Sequence, residues 1–257
     1  MSVLDGIIVG VREDLESRRM SRSELADLVA VAPLPLDPYK HLRVGDISVI
    51  AEVKRSSPSK GALAQIADPA ALAEIYQDNG ASMVSVLTEG RRFGGSLADL
   101  VAVRERVTIP ILRKDFMVDE YQFHEARAYG ADVVLLIVAA LSPAQLKEFM
   151  ALTNELGMRA IVEVHTAAEL EQALATSSEI VGVNSRNLKT LDVDRNVFAD
   201  LLPRIPDGIL KVAESGISSR ADVEYAQSYG GDAVLVGEAL VRGNDPATTL
   251  RALLGQG

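Results

Sequence analysis

Eight short runs of aliphatic residues recur along this chain, each followed by an amphipathic segment, and this alternation restricts the fold more than any other feature. The runs are SVIAEV (48–53), MVSVLT (83–88), IPILRK (109–114), DVVLLIV (132–138), RAIVEV (159–164), IVGVN (180–184), LKVAES (210–215) and AVLVG (233–237). Each is nearly continuously apolar, as a strand covered on both faces must be. The segments between them carry helix punctuation. Asp68-Pro69, Ser142-Pro143 and Asp245-Pro246 each set a capping residue before a proline at the first helical position. Ser142-x-x-Gln145 and Thr166-x-x-Glu169 read as reciprocal capping boxes, and Gly80, Gly130, Gly157 and Gly230 end helices just before the next strand. Strand–helix units repeated at intervals of roughly 20–35 residues predict a (β/α)8 TIM barrel. The rival, an open doubly wound sheet, usually has fewer strands and often a G-x-G-x-x-G turn after the first one. The first turn here is SSPSKG, which does not fit.

Residues 1–46 stand outside the repeat. Leu4, Ile7, Ile8, Val11 and Leu15 mark one face of an amphipathic helix, and Ser21-x-x-Glu24 opens a second one ending near Ala30. Pro33, Pro35 and Pro38 then stiffen a connection. The expectation is one domain: a barrel over 47–257 with a helical extension over 1–46 packed on it. At 257 residues and 48% hydrophobic, the chain can build a sizeable core.

Composition narrows the chemistry. The chain has no Cys, and its three His (His41, His124, His165) show no paired spacing, so neither a metal site nor a thiol is expected. A formal net charge of -10 argues against nucleic acid and anionic membranes as partners. No apolar run approaches the roughly 20 residues of a membrane span, and the N-terminus lacks a signal-peptide pattern. A cytoplasmic protein is expected.

The apolar runs turn polar at one end only. Glu52 and Lys54 close the first, Lys114 the third, with Asp115 and Phe116 after it; Glu163 closes the fifth, Asn184 the sixth with Arg186 two residues on, and Glu214 the seventh. In a barrel these ends converge on the mouth where active sites lie. Any one of these charges is compatible with an ordinary strand end. Three acids and two lysines around one mouth instead suggest a set of general acids and bases. Ser215-Gly216 and Gly237-Glu238 fall in the loops after strands seven and eight, where such barrels often hold phosphate, and Ser57-Pro58-Ser59 and Arg186 add donors. Phe93 and Phe116 suit an apolar wall. His165, His124 and His41 read as loop or surface residues, and Arg91-Arg92 either helps bind an anion or is merely solvated.

Six motifs, AEVKRSSPSKG, LTEGRRFGGS, ILRKDF, IVEVH, VGVNSRNL and AESGI, occur in this order. Together they resemble those of the indole-3-glycerol phosphate synthases, from Ile47 to the end, and the helical extension fits that family too. The resemblance implies closure of an indole ring on 1-(2-carboxyphenylamino)-1-deoxyribulose 5-phosphate, with loss of carbon dioxide and water and no cofactor or metal. It implies Lys114 as principal general acid, with Glu163, Lys54 and Glu52 sharing the acid and base roles of dehydration. Asn184 and Glu214 orient substrate and side chains. Ser57, Gly216, Gly237 and Glu238 match phosphate positions, Arg186 and Ser215 other ligand contacts, and Phe116 and Pro58 the wall around the anthranilate ring. Glu238 departs from the Ser of some members, so a backbone contact to phosphate is expected there rather than a side-chain one. Ser56 varies within the family and is given no role. The partner implied is a small sugar phosphate, and the chain is expected as a monomer or homodimer. Sugar-phosphate isomerases, with the same phosphate corner, and a Schiff-base aldolase using Lys114 are the rival enzymes; a binding module lacking catalysis is the other.

Overall fold

The computed structural model describes residues 2–42, 47–243 and 245–256. The expected junction at 46/47 borders residues 43–46, which lie outside the described residues. Eight parallel strands close into a barrel, each hydrogen-bonded to the next and the last to the first: β1 (Ser48–Val53), β2 (Met83–Leu87), β3 (Ile111–Lys114), β4 (Val133–Ile137), β5 (Arg159–Val164), β6 (Ile180–Asn184), β7 (Leu210–Glu214) and β8 (Ala233–Val236). All eight coincide with the apolar runs. Their near-complete burial follows from having side chains of the barrel interior on one face and helices on the other. The register places Asn184 beside Glu214, Ile137 beside Glu163 and Leu87 beside Lys114, so the polar residues share one end of the barrel.

Three helices precede β1: α1 (Val3–Arg18), α2 (Arg22–Val31) and α3 (Tyr39–Leu42). The helices after successive strands are α4 (Pro69–Asp78), α5 (Leu97–Arg106), α6 (Tyr121–Ala128), α7 (Pro143–Glu155), α8 (Ala167–Leu174), α9 (Asn196–Leu201), α10 (Arg220–Ser228), and α11 (Glu238–Arg242) with α12 (Pro246–Leu253). The Ser142 and Ser21 boxes form as expected, and Asp68 and Asp245 accept their N3 amides. Gly80, Gly130, Gly157 and Gly230 all take positive φ, which only glycine adopts without strain.

Three local expectations are corrected. The turn SSPSKG is a small antiparallel hairpin, Ser56–Ser57 against Gly61–Ala62. Thr166 caps α8 through the amide of Glu169, but the Glu169 carboxylate does not return to Thr166; it turns to His165. Arg91 does not face an anion site. It pairs with Glu13 at 2.7 Å and Asp14 at 2.6 Å on α1.

That last pair is one of the ties seating the N-terminal segment. Leu4, Ile7 and Val11 join the barrel core, and Leu15 packs with Leu25 and Tyr121. Burying such a side chain is worth about 1.5–3 kcal/mol, which is why this apolar face needs the barrel. Arg18 makes two bonds to Glu125 on α6, at 2.9 and 3.1 Å. Glu125 also takes the fully buried Arg113 at 2.8 Å, and Arg113 reaches Asp115 at 3.0 Å.

Candidate active site

At the C-terminal mouth the strands' last inward side chains meet. A small cavity of about 100 Å³ is lined by at least one residue from every strand, including Glu52, Leu87, Lys114, Ile137, Glu163, Asn184, Glu214 and Leu235. At its centre the Lys114 ammonium donates to Glu163 Oε2 and to Glu214 Oε2, both at 2.8 Å. The two carboxylates are buried, with side chains 2% exposed. Lys54 donates to Glu52 Oε1 at 2.6 Å, and Glu52 is buried too. The strand that opens the barrel thus ends in an acid and a base on one face because both point into this mouth.

Proximity sets the charge states. Burial disfavours the Lys114 ammonium, yet Glu163, Glu214 and Glu52 outweigh it and hold the lysine well above its ordinary value. Burial would raise Glu163, but Lys114 and His165 overcome it and keep that carboxyl well below the usual range. Glu214 goes the other way. Burial lifts it to about 7, against the pull of Lys114 and with a push from Glu163. Its Oε1 is buried and accepts no hydrogen bond among the described residues. Two carboxyls on one ammonium are thereby set apart, one firmly ionised and one close to taking a proton.

Glycine makes room for these acids. A β-carbon on Gly182 would overlap the Glu214 carboxylate, and one on Gly237 would stand 2.5 Å from Glu52 Oε1.

Outside this group lies an open cleft of about 790 Å³ that Lys54, Pro58, Arg186, Ser215, Gly216, Gly237 and Glu238 line. Ser215 and Gly216 hold φ of 66° and 72°, consecutive left-handed residues of the kind that turn backbone N–H groups toward an anion. Ser185 Oγ holds this turn by donating to the Ser215 carbonyl at 3.1 Å. Glu238 pairs with Arg242 at 3.2 Å along its own short helix. Arg186 donates to Ser59 Oγ at 3.1 Å and to the Leu191 carbonyl at 2.9 Å, joining the loop after β1 to the loop after β6. An apolar compartment adjoins both. Phe93 and Phe116, with ring centroids 6.1 Å apart, line it with Ser57, Pro58 and Leu188, and Val3, Leu4 and Ile7 of α1 complete its wall. Ser57 Oγ is buried there without a hydrogen-bond partner among the described residues.

All the residues that the sequence marked as site candidates therefore line one mouth. Several of their neighbours went unmarked. The α1 side chains and Leu188 carry no polar signal. Glu89 accepts the amides of Arg91, Arg92 and Phe93 and so sets Phe93 in place. His165 is a loop residue as read, just past β5, and its side chain lies beside Glu163, two residues earlier.

Fold and mouth together define a (β/α)8 barrel with an acid–base centre and an adjoining anion-suited cleft. A family model described as Indole-3-glycerol phosphate synthase matches residues 4–253. An "Indole-3-glycerol phosphate synthase" of Micrococcus luteus is 58% identical over 98% of this chain and 97% of its own length. One from Mycolicibacterium vanbaalenii is 53% identical over 100% and 95%. The chain belongs to the indole-3-glycerol phosphate synthase family. Among solved structures, a 3-hexulose-6-phosphate synthase from Salmonella typhimurium superposes with TM-score 0.62 at 16% identity, covering 82% of this chain and 100% of that one. A thiamine phosphate pyrophosphorylase from Pyrococcus furiosus does so with TM-score 0.60 at 14% identity, over 82% and 95%. These last two share the fold alone. Among the described residues no helix is long and apolar enough to cross a membrane.

Proposed function

We propose that this chain converts 1-(2-carboxyphenylamino)-1-deoxyribulose 5-phosphate to indole-3-glycerol phosphate, carbon dioxide and water, a step of tryptophan biosynthesis. The observation that carries the reading is the Lys114 ammonium held between Glu163 and Glu214 at the floor of the mouth. The phosphate lies in the cleft against the Ser215-Gly216 turn and the Gly237-Glu238 backbone. The anthranilate ring lies against Phe116 and Pro58, with Arg186 beside it. The ketose carbonyl then points down to Lys114.

Lys114 donates its proton to that carbonyl oxygen as the ring carbon bearing the carboxylate attacks the carbonyl carbon. The bond to the carboxylate breaks, its electron pair restores the aromatic ring, and carbon dioxide leaves. In the dehydration Lys54, paired with Glu52, protonates the departing hydroxyl. Glu163, kept ionised by the cations beside it, takes a proton from the ring carbon next to nitrogen. Asn184 and Glu214 orient the substrate hydroxyls. Placing donors and acceptors before the reaction lets each act without reorganising solvent.

The test uses indole fluorescence, which the chain scarcely obscures because it has no Trp. Wild type is expected to generate indole emission from the substrate without added metal, and Lys114→Ala to lose at least about 10²-fold in turnover. A wild-type protein that binds the substrate and stays silent would overturn the reading. Borohydride trapping of a Lys114 adduct would instead favour the Schiff-base aldolase.

A further inference from the structure

His165 is the one histidine set against the catalytic floor, and its surroundings are unusual for a residue just beyond a strand end. Its side chain is only 10% exposed. Nδ1 lies 2.9 Å from Glu169 Oε2, and the same oxygen accepts the His165 backbone N–H at 2.8 Å. Nε2 lies at an ion-pair distance of 3.3 Å from Glu163 Oε1, without hydrogen-bond alignment, and is buried with no hydrogen-bond partner among the described residues. Both ring nitrogens thus face carboxylates. A neutral imidazole carries one proton and would turn a lone pair toward one of those anions; an imidazolium offers a proton to each. Glu169 has also left its capping role on α8 to make these contacts, giving up a reciprocal cap that the sequence spacing allowed.

We infer that His165 and Glu169 form a positioning couple for Glu163: an imidazolium clamped by Glu169 aims the Glu163 carboxylate at Lys114 and holds it ionised, ready to accept a proton. This rests on the acid–base reading above, and His165 itself touches no substrate. The charged and titratable groups around it are Glu163 on β5 and Glu169 on α8, with Lys114 on β3 and Glu214 on β7 beyond Glu163. Its own titration agrees. Burial would lower it, but the two carboxylates raise it to about 9. Glu163 in turn has a cation on either side, Lys114 at Oε2 and His165 at Oε1. With one of them removed, its two oxygens are no longer matched, and burial pushes the group toward its protonated form.

The experiment has two arms. The first follows the three histidines by NMR with ¹³C-labelled imidazole. His165 is expected to stay protonated through neutral pH and to titrate near 9 in wild type, dropping by a unit or more in Glu169→Gln. A wild-type His165 titrating like a free imidazole would overturn the couple, whatever the activity. The second arm measures kcat and KM across pH for wild type, His165→Ala and His165→Gln. In His165→Ala the acid limb of kcat should move up by about one unit or more, with the loss of kcat largest at the acid end of the profile and recovered as pH rises, and KM changed less than about 2-fold. His165→Gln keeps a donor but not the charge. It should recover part of the rate while keeping the shifted limb. An unchanged limb, or a loss equal at every pH in a variant with wild-type circular dichroism and melting, would show His165 to be packing only. If wild type proves silent but its His165 titrates near 9, the proposed reaction fails while the ion couple stands, so the two failures are told apart.

Discussion

Gly182 and Gly237 owe their identity to the carboxylates packed against them. At Gly182 a methyl group would collide with the Glu214 carboxylate and lie 2.9 Å from Ile161 Cγ2, so Gly182→Ala must push Glu214 off Lys114 or strain β6. Turnover by the fluorescence assay is expected to fall roughly 10²-fold with less change in KM, because a displacement of about 1 Å at a positioned group costs that much. Wild-type kinetics from Gly182→Ala would mean the contact is relieved harmlessly. Glu238 is a second position with a definite sign. Its side chain lines the cleft proposed for phosphate and pairs with Arg242. Removing one negative charge next to a dianion favours binding, so Glu238→Ser should lower KM several-fold, less at high salt. A raised KM would assign the side chain a binding role that its charge argues against.

Between elements, the chain of ion pairs Arg18–Glu125–Arg113–Asp115 connects α1 through α6 to β3, the strand that carries Lys114. Arg113 is fully buried, and a buried charge that loses a partner is costly. Glu125→Ala should lower the unfolding free energy by about 3–5 kcal/mol in urea titration. Arg91→Ala cuts a solvent-screened pair and should leave the urea midpoint almost unmoved. Equal effects of the two variants would mean that the burial contrast between them does not govern how α1 is held.

Taken across the fold, the mouth makes stability depend on pH in a way that can be signed. His165 rises from 6.5 to about 9 on folding, so its contribution is full below 6.5 and lost as pH climbs through 9. Glu214 rises from 4.5 to about 7, so folding also weakens between those values as that buried acid is forced to ionise. Glu163 is depressed from 4.5, and its contribution is lost only as pH falls below that. The melting temperature should therefore peak near pH 4.5 and decline from there toward 9. The His165 share of this decline is on the order of 3 kcal/mol and should be absent in His165→Gln. A profile flat from pH 5 to 9 would contradict the ion arrangement at the barrel mouth.

The strands, most of the helix ends and the polar strand termini could be read directly from the chain, because each is written in neighbours one to four residues apart. Apolar continuity makes a strand of SVIAEV, Asp68-Pro69 starts a helix, and Glu52 and Lys54 share a face because side chains alternate. Apart from the SSPSKG hairpin, the failures are choices of partner. Thr166-x-x-Glu169 had the spacing of a reciprocal cap, yet a buried imidazole competed for Glu169 and won, since a buried cation needs an anion more than an exposed amide does. Arg91 looked free to bind a ligand until the fold brought Glu13 and Asp14, some 77 residues earlier, beneath it. Val3, Leu4 and Ile7 announced an apolar face but not that it would wall the compartment beside the site. Local pattern fixes what each segment is; which charge meets which is set by the closure of the barrel, where burial makes an unpaired ion too costly to keep.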